Sequence, residues 1–104
     1  MASQTEKTPD PQRTYSVASA AGSSSVDPNV LIVRSGEVVY WTVAVGFARV
    51  LFKETGIVDF TKDAATPGSP AVATARKPGT HHHTISLWIG DEVPQAVRAV
   101  LIVE

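Results

Sequence analysis

The sequence predicts an all-β protein, a two-layer antiparallel β-sandwich of about seven strands. Three observations carry that expectation. From about residue 27 onward apolar side chains recur at every second position, the periodicity of strands buried on one face. Val is prominent among the aliphatic residues, and its branched Cβ suits a pleated sheet better than a helix. The alternating runs are separated by Gly and Pro, seven of each, while apolar spacing of 3, 4 and 7 never lasts beyond two turns.

The elements follow in order. Residues 1–26 are rich in Ser, Thr, Pro, Ala and Gln, too polar to offset the entropy of ordering, and are expected to form a flexible or arm-like segment. Within it Tyr15 and Val17 alternate weakly, so a short arm could add to a sheet edge, its own or a neighbour's. Residues 27–104 form the expected sandwich domain. Val30-Leu-Ile-Val33 is a first apolar run, turned by Arg34-Ser-Gly-Glu37. The next strand sets Val39, Trp41, Val43 and Val45 on one face and Val38, Tyr40 and Thr42 on the other. Ala48, Val50 and Phe52 alternate in a third ribbon, and residues 57–60 make a brief fourth. Residues 61–69 read as a loop, and residues 71–76 as a weak strand.

Lys77-Pro-Gly-Thr80 suits a type II turn, with Pro pre-setting φ and Gly supplying φ > 0. The cleanest strand follows. Ile85, Leu87 and Ile89 share a face with His81 and His83, while Thr84, Ser86 and Trp88 share the other with His82. Gly90-Asp-Glu-Val-Pro94 bends the chain, and Val97, Ala99, Leu101 and Val103 line the inside of the last strand.

Composition removes several function classes. Nine basic and ten acidic residues in 104 give a net charge of −1. No Lys/Arg cluster exceeds Arg76-Lys77, so nucleic acid is not an expected partner. No stretch reaches 18 apolar residues, so no membrane insertion is expected. The first residues lack a basic start followed by an apolar run, hence no signal peptide, and the expected location is cytoplasmic or virion- or assembly-associated. The absence of cysteine removes disulfides, thiol catalysis and thiolate metal sites together.

The aliphatic run followed by Gly36-Glu-Val-Val-Tyr-Trp41, the segment Pro78-Gly-Thr-His-His-His-Thr-Ile85, and the closing Ala99-Val-Leu-Ile-Val-Glu104 together resemble the early, late and terminal strands of cupredoxin-like domains. The resemblance spans about residues 27–104 and implies a Greek-key sandwich of the cupredoxin-like, immunoglobulin-like kind. A blue-copper site takes a thiolate, two imidazoles and a weak methionine. Here there is no thiolate, the only methionine is Met1, and the three histidines are consecutive. The resemblance therefore implies a scaffold and no site residue.

His81-His82-His83 is the one local cluster that invites chemistry. Alternation puts His81 and His83 on one side with Cβ atoms about 6–7 Å apart, able to chelate Zn or Cu if a third ligand arrives. The competing reading makes them structural, at positions where related sandwiches carry aromatics. Tyr40 and Trp88 face outward by parity and are candidate interaction residues, as are Tyr15 and Val17 in the arm. No G-x-S-x-G elbow is present, the glycines are isolated, and Asp59, Asp63, Asp91 and Glu92 fall in turns or loops, so no enzyme is expected. No cofactor is expected apart from the Zn or Cu alternative. The expected function is a non-catalytic structural or protein-interaction sandwich, self-assembling as a homo-oligomer or decorating a larger protein assembly. The alternative is a metal-binding module built on His81 and His83.

Overall fold

The computed structural model describes residues 11–20 and 23–104. Ten strands follow a short 3₁₀ turn at Pro11–Arg13: β1 Thr14–Ala20, β2 Ser23–Asp27, β3 Val30–Val33, β4 Val38–Val43, β5 Phe47–Phe52, β6 Val58–Lys62, β7 Ala64–Ala65, β8 Ala71–Ala75, β9 Gly79–Trp88 and β10 Gln95–Val103. They form two five-stranded sheets, ordered β2-β1-β4-β8-β6 and β3-β10-β9-β5-β7. Pairing is antiparallel except that β1 runs parallel to β4 and β3 parallel to β10. The fold is a two-layer all-β sandwich.

Period-2 alternation places the core. Val39, Trp41 and Val43 from β4 and Ala71, Ala73 and Ala75 from β8 face Ala48, Val50, Ile85, Leu87, Ala99 and Leu101 from the other sheet, and all are buried. The alanines of β8 lie beside β4 in register, Ala73 opposite Val39 and Ala71 opposite Trp41. Small side chains there leave room for the indole, which is fully buried.

Two expectations about buried faces need correction, and so does the strand count. The 1–26 segment does not behave as one arm. Residues 1–10 lie outside the described residues, but β1 sits inside a sheet, between β2 and β4, with Tyr15 and Val17 buried. The addition of a Tyr15- and Val17-bearing segment to the chain's own sheet, one of the expected alternatives, is what β1 shows, with β4 as its parallel partner. The other correction concerns Val45. It does not share the face of Trp41, being 61% exposed, because β4 ends at Val43 and the chain turns through Gly46 at φ +88°. The expected 61–69 loop contains the end of β6 and the two-residue β7. With the N-terminal strands, this accounts for ten strands where about seven were anticipated.

Candidate functional site

β9 places the three histidines in three environments. His82 is exposed, His81 is partly covered, and His83 is only 3% exposed. The His83 ring stacks on Phe52, centroids 4.5 Å apart, and meets Tyr15 and Trp41 edge-on. Trp41 Nε1–H donates to His83 Nε2 across 3.2 Å. The neutral ring therefore carries its proton on Nδ1, which is buried without a hydrogen-bond partner. Burial pushes the His83 pKa down to about 4, the nearby His81 backbone opposing this and the His82 charge reinforcing it. The same aromatic cluster stacks Tyr15 on Trp41 at 5.5 Å. The Tyr15 hydroxyl donates to the Val100 carbonyl of the opposite sheet, and burial drives its pKa well above the usual phenol value, partly offset by the Leu31 backbone.

The metal expectation meets this geometry directly. His81 and His83 do share a strand face, but His81 Nε2 bonds the Lys77 carbonyl at 2.8 Å and His83 Nε2 is engaged by the indole. No group of three His, Cys, Asp or Glu side chains is gathered to hold a metal among the described residues. The lining of His83 is aromatic, and with no cysteine in the chain the residues present do not fit a blue-copper centre. No chemical step is derived through copper.

The four interaction candidates separate as well. Tyr15 and Val17 are core residues, so they are not contact residues, a correction forced by their inward parity in β1. Tyr40 and Trp88 are both partly exposed but lie in different sheets, so they form no joint aromatic patch. Trp88 instead packs against Phe47, directly opposite it in β5, at 5.5 Å.

The outer face of the β3-β10-β9-β5 layer is the more distinctive surface. Val30, Ile32, Phe47 and Leu51 are exposed there, Ile32 at 58% and Leu51 at 51%. Register sets Val30 beside Val100 and Ile32 beside Ile102, extending the apolar strip onto β10. A shallow depression of about 550 Å³ opens beside Leu51, Lys53, His82, Thr84 and Arg98. Arg98 lies opposite Thr84, which lies opposite Leu51, so the three cross adjacent strands in one row. None of the five strands of this sheet contains Asp or Glu. Alternation in the sequence sets Arg98 outward, against Val97 and Ala99, but gives no face to Ile32 or Leu51. Their convergence was invisible because it depends on which strands are neighbours.

No family model matches the chain, and no curated protein matches it. Solved structures do. Amicyanin from Paracoccus versutus (Thiobacillus versutus) superposes with a TM-score of 0.58 at 20% identity, over 91% of this chain and 85% of that one. A mutant amicyanin in its reduced state gives 0.56 at 15% identity, over 95% and 94%. A chain of a heme-copper terminal oxidase dimer gives 0.51 at 19% identity, over 90% of this chain and 66% of that one. These likenesses concern the fold, which is cupredoxin-like without the copper ligand set.

Proposed function

We propose that this protein is a non-catalytic recognition or structural module that self-assembles or decorates a larger assembly through the outer face of the β3-β10-β9-β5 sheet. The supporting observation is the apolar strip of Val30, Ile32, Val100 and Ile102 where β3 pairs with β10, with Leu51 and Phe47 exposed further along the same face, beside a basic depression. A contiguous apolar surface rimmed by polar groups is what a protein partner covers. The opposite sheet offers less, its outward positions on β1 and β4 including Ser16, Ala18, Tyr40 and Thr42.

Sedimentation of untagged protein from micromolar to millimolar concentration, with cross-linking in its native source, tests the reading. Association or capture that Ile32→Lys and Leu51→Lys both weaken supports it, since these outward positions leave the core intact. A strict monomer whose cross-linking pattern neither substitution changes overturns it.

A further inference from the structure

We propose that copies of this chain join end to face, the Asp91-Glu92-Val93 loop of one copy docking into the Lys53, His82 and Arg98 depression of the next. This rests on the preceding reading of the sheet face and names its occupant.

The host side carries unanswered positive charge. Neither Arg98 nor Lys53 has an ion-pair partner among the described residues, whereas Arg49 nearby is matched by Asp63 at 3.6 Å and Lys77 by Glu54 at 3.7 Å. Arg98 faces outward on β10, flanked by Thr84 and, one strand further, by the exposed Leu51. A guanidinium presented this way offers a planar fork to a carboxylate, with an ammonium and an imidazole beside it.

The guest side carries the complement. Asp91 and Glu92 are consecutive, exposed and without ion-pair partners among the described residues. Val93 follows at 82% exposure, the most exposed large apolar side chain among the described residues. Two carboxylates and a bare aliphatic group at a protruding turn match two cations, an imidazole and Leu51 around a hollow. The loop cannot reach the hollow of its own chain. It caps the β9–β10 hairpin, and Arg98 lies three residues down β10 from Gln95, about 10 Å along a paired strand. The contact is therefore between molecules. Because the two surfaces differ, the union is heterologous, and repetition yields a ring or a filament rather than a two-fold dimer.

Charge reversal tests this on the full chain. Wild-type protein associates as concentration rises from micromolar to millimolar, and added salt weakens the association. Asp91→Lys with Glu92→Lys, and separately Lys53→Glu with Arg98→Glu, each weaken it roughly tenfold or more. Mixing the two reversed variants restores it, because each loop then faces a depression of opposite sign. The neutral pair Asp91→Asn and Glu92→Gln gives the same loss with less disturbance of the turn. A wild type that stays monomeric overturns the proposal, as does association indifferent to both reversals or a mixture that stays apart. Association that Leu51→Lys abolishes but the loop variants leave unchanged, or an acidic partner of another kind held at the depression by a monomer, refutes the loop while the sheet-face reading stands.

Discussion

Trp41 and His83 join the two sheets through a buried polar contact, the indole N–H of β4 donating to the imidazole of β9 at 3.2 Å. Around it, Tyr15, Phe52 and Phe60 complete an aromatic cluster. The arrangement satisfies the tryptophan donor, which would otherwise be buried and unpaired. It also commits His83 to the neutral form, since a protonated ring could accept nothing from the indole.

Acidification should expose that commitment. The His83 pKa is near 4 in the folded protein, against an ordinary value of 6.5. Because the folded value is depressed, the unfolded chain binds the extra proton first. The stability associated with the neutral ring is therefore complete above pH 6.5 and is lost as pH falls towards 4. The loss is on the order of 3 kcal/mol. Urea midpoints measured from pH 7.5 to 4 should fall more steeply for the wild type than for His83→Gln, whose amide oxygen can still accept from the indole. Parallel curves would mean that His83 does not titrate in a buried site.

Trp41→Ala should cost about 3–5 kcal/mol, the usual range for emptying a large aromatic site from a core. The loss would include leaving His83 Nε2 without its donor. Denaturant unfolding at pH 7.5 measures it, and a cost below about 1 kcal/mol would contradict the fully buried position of the indole.

Adjacent residues on β9 should respond oppositely to the same change. Ile85 is fully buried, paired across to Val50 and Val97, so Ile85→Asp would bury an unpaired carboxylate and prevent folding. Thr84 points outward beside Arg98, and Thr84→Asp should fold normally. Soluble yield and circular dichroism of the two variants decide it.

Parity along the chain made that contrast legible without coordinates, and it also located Val39, Trp41, Leu87 and Leu101 in the core. It failed where a strand's identity depended on its partner. β1 has only Tyr15 and Val17 as large inward groups, and the parallel alignment of Tyr15 with Trp41 comes from residues 26 positions away. The candidate surface was half legible for the same reason. Thr84 and Arg98 could be placed outward from alternation, but Arg98, Thr84 and Leu51 come from three strands whose order only tertiary pairing fixes.

The N-terminal strand should accordingly be indispensable. Tyr15→Phe removes the hydroxyl that reaches the Val100 carbonyl and should cost about 1–2 kcal/mol, a lost hydrogen bond with a partly buried acceptor left over. Deletion through Ala20 removes β1 altogether and uncovers Val39, Trp41 and Val43, so the remainder should fail to fold. A deleted protein with a sharp thermal transition like that of the intact chain would restore the segment to the status of an arm.

Gly46 and Gly56 provide a matched pair in which backbone strain is similar and space is not. Both adopt positive φ, +88° and +85°. A Cβ on Gly56 would meet open space, so Gly56→Ala carries only the left-handed backbone penalty, about 1–2 kcal/mol. A Cβ on Gly46 would drive into the Trp88 carbonyl oxygen and press on Ile89, backbone that the Phe47–Trp88 pairing of β5 and β9 holds in place. Gly46→Ala must therefore move the start of β5 away from the end of β9. It should lower the thermal midpoint by clearly more than Gly56→Ala, and amide exchange should quicken at Phe47 and Trp88 first. Equal shifts for the two variants would show that the turn before β5 yields freely, which a close approach of this kind does not allow.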